Sequence, residues 1–271
     1  MPELPEIETV CRQLRTVILD AEITRTRILD PKLRGIGGLT GRKVEGITRQ
    51  GKAVALALRG GGVVTFHLRM TGRFLWQKGK GALLPHTRLV MSFAHGRLLL
   101  IDPRRFATIT VSKNVPAVSL GSDLLNDGDP SQLWLLAQKS KVPIKAFLMD
   151  QHRIAGIGNI YACEILHRVG MDPWRRSNTL SPDAWITIAA AAKEILKQAI
   201  ACRGTSVSDW RDLFGAAGEN QRYLMVYDRK GEACYRCGER VERKKLSGRG
   251  TYYCPACQNE KGGPNHGTME I

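Results

Sequence analysis

Apolar residues near the start of the chain fall at Ile7, Val10, Cys11, Leu14, Val17 and Ile18, the three-and-four spacing of one helical face, so residues 5–19 are expected to form an amphipathic helix. The period then shortens. Runs at 22–28, 43–49, 53–58, 63–70, 88–93, 97–101 and 108–111 read as short strands, separated by turn signals such as Arg59-Gly60-Gly61-Gly62 and Ala94-His95-Gly96. Strands at this spacing predict a β-sandwich with the first helix along one edge. Residues 113–123, with Pro116 and Gly121, read as a linker. Helical periodicity returns at 130–139, 143–151, 160–169 and 182–202; the last has Ser181 as N-cap, Pro182 at the first helical position and Gly204 just past its end. A glycine-rich polar loop from Phe214 to about Asp228 leads into a cysteine-bearing ribbon, and the polar residues 259–271 are expected to be disordered.

Charge narrows the choice of partner. Lys and Arg number 41 against 25 Asp and Glu, a net +16 on 271 residues, which suits a polyanion and above all nucleic acid. A membrane partner is not expected: no apolar run is long enough to cross one, no amphipathic basic tail is present, and no basic region followed by an apolar core marks a signal peptide. A cytoplasmic, monomeric protein is expected.

Four of the seven cysteines are spaced Cys234-x2-Cys237-x16-Cys254-x2-Cys257, the pattern of a four-thiolate zinc site, with a redox dithiol pair as the alternative. Four thiolates leave no position open for water, so one structural Zn2+ is the expected cofactor, holding a ribbon too short to bury a core of its own. Cys11, Cys163 and Cys202 stand among apolar neighbours and read as small buried hydrophobes. Between the cysteine pairs lie Arg240, Arg243, Lys244, Lys245 and Arg249, either a phosphate-gripping hairpin or a solvated basic face.

The N-terminus carries the chemistry. In Met1-Pro2-Glu3-Leu4-Pro5-Glu6, removal of Met1 makes Pro2 a terminal secondary amine beside two carboxylates. An α-amine titrates near about 7.7–8.0, so much of it is a free base at neutral pH, able to attack an aldehyde-like carbon and form a Schiff base. Glu3 could donate a proton and Glu6 could steer it. The plain alternative is that these glutamates only complement the helix dipole. Farther on, Gly156-Ile157-Gly158-Asn159 precedes a helix; the glycines admit an anion to backbone N–H groups, or Asn159 is simply a cap.

Taken together, the motifs Pro2-Glu3-Leu4-Pro5-Glu6-Ile7-Glu8-Thr9, His67-Leu68-Arg69-Met70-Thr71-Gly72, Asp102-Pro103-Arg104-Arg105-Phe106, Gly156-Ile157-Gly158-Asn159-Ile160-Tyr161-Ala162, Val226-Tyr227-Asp228-Arg229-Lys230-Gly231 and the cysteine ribbon resemble, in order, those of the formamidopyrimidine-DNA glycosylase family, which includes endonuclease VIII. The resemblance implies an α+β fold: an N-terminal helix and β-sandwich catalytic domain at 2–115, a helix-two-turn-helix DNA-binding domain with a lesion loop at 116–228, a zinc-finger hairpin at 229–258 and a tail at 259–271. It implies an enzyme that binds damaged double-stranded DNA, excises oxidised purines through a Schiff base with Pro2 and nicks the strand by β,δ-elimination. Glu3 would be the proton donor, Glu6 a second carboxylate, Lys52 and Arg249 residues of the two elimination steps. His86, Arg104, Lys145 and Asn159 match DNA-contacting or neighbouring basic positions, and Met70, Arg104 and Phe106 match a trio filling the gap left by an extruded nucleotide. By pattern alone, Met70 continues the alternation Val64, Phe66, Leu68 of a buried strand face, and an isolated phenylalanine such as Phe106 is most often core.

Two rivals remain, an endonuclease VIII-type glycosylase for oxidised pyrimidines and a zinc-ribbon protein that binds lesions without catalysis. The chain departs from the family pattern at residues 215–223 of the lesion loop, at Ala107, and at Asp228, where glycine is usual.

Overall fold

The computed structural model describes residues 1–33, 36–79, 81–113, 120–126 and 128–259. Most of the expected linker and all but the first residue of the expected tail lie outside them. The chain forms two compact units that are discontinuous in sequence, one of residues 1–119 and 199–221, the other of residues 120–198 and 222–271.

The first unit is a sandwich of antiparallel strands. Helix α1 (Leu4–Ile18) is followed by β1 (Arg25–Ile28), β2 (Val44–Gln50), β3 (Ala53–Leu58), β4 (Val63–His67), β5 (Arg73–Gln77), β6 (Thr87–Phe93), β7 (Gly96–Ile101) and β8 (Thr108–Ser112). One sheet has the order β1-β6-β7-β5 and the other β2-β3-β4-β8. Their inner faces share one core, in which Phe66 of β4 meets Phe74 of β5 edge to face at 5.1 Å. The helix adds Ile7, Val10, Cys11, Leu14 and Ile18 to that core and lies against β2 and β3, as its apolar stripe predicts. Full burial of each such aliphatic side chain contributes about 1.5–3 kcal/mol over leaving it exposed. Burial also pushes the Cys11 thiol up to about 12.

Two expectations need correction here. Strand β5 was not among the predicted runs, because Thr71-Gly72 before it reads as a turn and only Phe74 and Trp76 face inward. The predicted run 63–70 ends as a strand at His67; Gly72 N–H closes a turn onto Leu68 O at 3.0 Å, and this turn carries Met70 off the buried face.

The second unit holds α2 (Pro130–Gln138), α3 (Ile144–Met149), α4 (Asn159–Arg168), most of α5 (Pro182–Ala201) and the ribbon strands β9 (Glu242–Leu246) and β10 (Arg249–Tyr253). Asp129 caps α2 through Ser131 N–H at 2.8 Å, and Ser181 accepts from Ala184 N–H at 3.3 Å at the head of α5. Asn159 is not a cap. Gly158 takes that position and Asn159 is the first helical residue, which frees its side chain for other partners.

Helix α4 grips the C-terminal segment along its length. Near its middle the buried Glu164 carboxylate accepts the N–H groups of Met225 (2.8 Å), Val226 (3.0 Å) and Tyr227 (2.8 Å). Burial pushes this carboxyl up, while the three N–H groups and Arg229 pull it back. Near the end of the helix, His167 Nε2 lies 3.4 Å from Cys234 Sγ. Replacing Glu164 with Gln sets an amide NH2 against at least one backbone N–H, so Glu164→Gln is expected to lose about 1–3 kcal/mol of stability, read as a lower denaturant midpoint.

Candidate active site and nucleic-acid interface

At the head of α1 the backbone is locked by a carboxylate. Glu6 Oε2 accepts Glu3 N–H at 2.8 Å and Oε1 accepts Thr205 N–H at 2.8 Å, with Glu3 and Glu6 both buried. The first of these is half of a capping box, in which the third residue of the helix reaches back to the residue before it. Because the Glu3 N–H belongs to the Pro2–Glu3 peptide, Glu6 fixes the plane that carries Pro2. Pro2 is itself buried, and Met1 is exposed. Lys52 follows Gly51 (φ +56°) in the tight turn between β2 and β3 and is almost wholly buried. Burial, then the charges of Arg69 and Lys52, holds the His67 imidazole down at about 4, and its Nδ1 accepts Arg69 N–H at 3.1 Å.

Asp102, which no pattern singled out beyond its place in a motif, ties three loops together. Its N–H donates to His86 O at 3.0 Å, its Oδ1 accepts the Thr71 hydroxyl at 2.5 Å and its Oδ2 accepts Ala107 N–H at 2.7 Å. The buried carboxylate thus fixes the loops bearing Met70 and Arg104 with Phe106, and the backbone N–H of the same residue fixes the loop bearing His86. Met70 is 51% exposed and Phe106 44%, so neither belongs to the core. The Arg104 guanidinium lies 4.5 Å from the centre of the Phe106 ring. The backbone is strained on both loops, with φ +55° at Arg69 and +59° at Arg105. Arg105 is held by a two-point contact to Asp30, Nε–Oδ2 2.8 Å and Nη2–Oδ1 2.6 Å.

In the second unit Lys145 is wholly buried, and its ammonium donates to Asn159 Oδ1 (2.6 Å), Thr251 Oγ1 (2.8 Å) and Gly250 O (3.3 Å). Asn159 Nδ2 adds a bond to Gly250 O at 3.0 Å. The start of α4 is therefore fastened to β10 at the residue next to Arg249. Arg249 follows a two-residue turn, Ser247 (φ +48°) and Gly248 (φ +76°), of the type that suits strand twist, and its side chain is exposed. Of the other basic hairpin residues, Lys244 is paired with Glu242 at 2.8 Å and Arg243 lies over the Tyr252 ring, while Arg240 and Lys245 are exposed.

The cysteine quartet tests well against a zinc ion. All four sulfurs lie within 4.8 Å of one another, with Cys237–Cys254 at 3.4 Å and Cys234–Cys257 at 3.9 Å. Zn–S bonds of about 2.3 Å in a tetrahedron require sulfurs about 3.8 Å apart. Val226, Val241 and Cys163 of α4 pack around them, which supplies the apolar shell that the ribbon lacks alone. Burial keeps His167 down at about 4 and therefore neutral, so its ring can donate to a thiolate at Cys234. Cys11 and Cys163 are buried as expected, Cys202 only partly.

Family models for the formamidopyrimidine-DNA glycosylase N-terminal domain, its H2TH domain and a zinc finger found in FPG and IleRS match residues 1–109, 120–210 and 231–259. The chain belongs to the formamidopyrimidine-DNA glycosylase family. It is 36% identical to the formamidopyrimidine-DNA glycosylase of Pelotomaculum thermopropionicum over 96% of this chain and 100% of that one, and 38% identical to that of Moorella thermoacetica over 90% and 94%. Among solved structures, a Lactococcus lactis FPG mutant in complex with Fapy-dG containing DNA superposes with a TM-score of 0.89 at 31% identity, over 96% of this chain and 100% of that chain. The Lactococcus lactis Fpg complex with abasic-site DNA gives the same score and identity over 95% and 100%. No helix among the described residues is long and apolar enough to cross a membrane.

Two measurements follow from this geometry. A strong chelator is expected to release about one zinc per chain and to abolish the near-ultraviolet dichroism of Tyr252 and Tyr253, whereas retained dichroism would mean that the ribbon holds without metal. The Asp30 carboxyl is held down from 3.8 to about 2, chiefly by its hydrogen bond from Arg105, so its contribution is present above the ordinary value and is lost as pH falls toward 2. Arg105 is partly exposed, so the effect is small: Asp30→Asn is expected to flatten the fall in melting temperature between about pH 4 and pH 2.

Proposed function

We propose that this chain is a DNA repair glycosylase and lyase that releases oxidised purines such as 8-oxoguanine from duplex DNA, with Pro2 as its nucleophile once Met1 is removed. The observation that carries this reading is the locked head of α1, where a proline is followed by two buried carboxylates and the second of them fixes the peptide of the first. A terminal amine held in this way has lost most of its orientational freedom before substrate arrives. Its nitrogen attacks C1′, the bond to the base breaks, and Glu3 supplies the proton that the leaving group or the ring oxygen needs. The bound nitrogen loses its proton, the C1′–O4′ bond breaks with its electron pair going to O4′, which takes a proton, and the opened sugar is left joined to Pro2 by a cationic imine. The imine draws electrons from C2′, so the 3′ phosphate leaves in β-elimination, and δ-elimination releases the 5′ phosphate. Lys52 serves the first elimination and Arg249 the second.

A base within the duplex shields its own C1′, so the nucleotide must leave the stack at a cost of a few kcal/mol. Met70, Arg104 and Phe106 refill the gap, and their exposure on loops fixed by Asp102 suits them to it. His86, Arg104 and Asn159 contact the phosphate backbone, with affinity driven by counterion release. Lys145 acts one step back, positioning Asn159 and β10 through its ammonium. The four thiolates Cys234, Cys237, Cys254 and Cys257 hold one zinc whose contribution is folding of the ribbon, not a catalytic step.

Borohydride is expected to trap a covalent adduct between the native chain and duplex DNA carrying 8-oxoguanine, while Pro2→Gly or retention of Met1 abolishes trapping. Undiminished adduct from either form would refute the assignment. The Lactococcus lactis enzyme has also been solved with oxidised-pyrimidine DNA, so the two lesions are compared side by side: faster trapping on 8-oxoguanine fits the purine reading, and faster trapping on the pyrimidine lesion fits the endonuclease VIII-type one.

A further inference from the structure

Residues 202–206 and 218–221 fold onto one another through bonds that end on α1. Cys202 O accepts Glu219 N–H at 2.7 Å and Gly204 O accepts Asn220 N–H at 3.1 Å. Asn220 Nδ2 donates to Thr205 Oγ1 at 2.8 Å, and Thr205 N–H continues to Glu6 Oε1 at 2.8 Å. Thr205 and Asn220 are both buried. The packing leaves little slack, since a side-chain carbon at Gly218 would stand 2.2 Å from Gly204 O, and one at Gly204 would stand 2.9 Å from Glu6 Cγ and Oε1. The other oxygen of Glu6 holds the Pro2–Glu3 peptide.

From this chain of bonds we propose that Thr205 and Asn220 are positioning residues that aim the Pro2 nitrogen at the intact nucleotide. The proposal rests on Pro2 being the nucleophile. The two substrates of that nitrogen make different demands. On a base-bearing sugar the N–C1′ bond forms as the C1′–base bond breaks, the base leaving with the electron pair and a proton, which is productive only over a narrow range of approach. An abasic sugar opens to a free aldehyde, which the amine attacks from many directions; the amine proton and one from solvent leave with the carbonyl oxygen as water. A slackened Glu6 therefore slows base release far more than it slows cleavage of a preformed abasic site.

The test compares single-turnover rates of Thr205→Val, Asn220→Ala and Thr205→Ser on a duplex carrying 8-oxoguanine and on the same duplex with an abasic site. Each rate is expressed per molecule trapped by borohydride on abasic DNA, so a poorly folding preparation does not distort the ratio. Thr205→Val and Asn220→Ala are expected to release the base about tenfold or more slowly and to cleave the abasic site within about threefold of the native rate. Thr205→Ser keeps the hydroxyl and is expected within about threefold of native on both substrates. Equal losses on the two substrates, no loss on either, or failure of Thr205→Ser to hold the native ratio would overturn the proposal. Loss of trapping in the native chain itself would instead sink the Pro2 assignment.

Discussion

A carboxylate taken out of water must find donors for its oxygens, and in this chain the backbone N–H groups of residues 3 and 205, one local and one far along the sequence, both donate to Glu6. The arrangement satisfies a costly buried charge, and it also makes the start of α1 a fixed point. A helix of 15 residues with one apolar face in the core resists tilting, but its first turn would fray without a partner for the orphan N–H groups. Glu6 closes that turn from inside. The chemistry assigned to Pro2 depends on it, because a nucleophile on a fraying end would be a nucleophile in any direction.

The same solution recurs at two other places. Asp102 fastens the loops at one end of the sandwich, and Glu164 fastens the bend at 225–227 to α4. Lys145 is the cationic counterpart, with carbonyl, hydroxyl and amide acceptors around it. At Asp102 and Glu164 the side chain organises a segment that has no regular ladder to hold it, and at Lys145 it ties the start of α4 to a strand that has one. The exposed residues beside these anchors, Met70, Phe106 and Arg249, are therefore presented on stiff supports although they sit on loops and a hairpin.

Much of this architecture could be read from the chain because its signals are local. The stripe of α1, the punctuation of α5 by Ser181 and Pro182, and the cysteine spacing each specify structure within a few residues of themselves. What no local pattern carries is long-range or polar. Strand β5 offers only Phe74 and Trp76 to the core, so its period is too short to recognise, although β7 pairs along its whole length. Met70 continued an alternation that the turn at Gly72 interrupts. Asn159 looked like a cap because asparagine favours caps, but the flexible Gly158 fills that place and the amide turns instead to Lys145. No periodicity announces that residues 199–221 return to the first unit, or that Asp102, Asp30 and Glu164 are structural charges.

The residue at position 228 carries a consequence of its own. Asp228 adopts φ +64°, a conformation that glycine enters freely and that aspartate tolerates better than most side chains, and its Oδ1 accepts the Tyr252 hydroxyl at 3.3 Å. The two positions are thereby energetically coupled. While the phenol is present, a carboxylate at 228 recovers through that bond part of the torsional cost it incurs; once a phenylalanine stands at 252, the bond is gone and glycine becomes the better occupant. The order in which two such exchanges can accumulate is set by the hydroxyl, and a homologue with aspartate here but no partner across the hairpin would carry the conformational cost uncompensated.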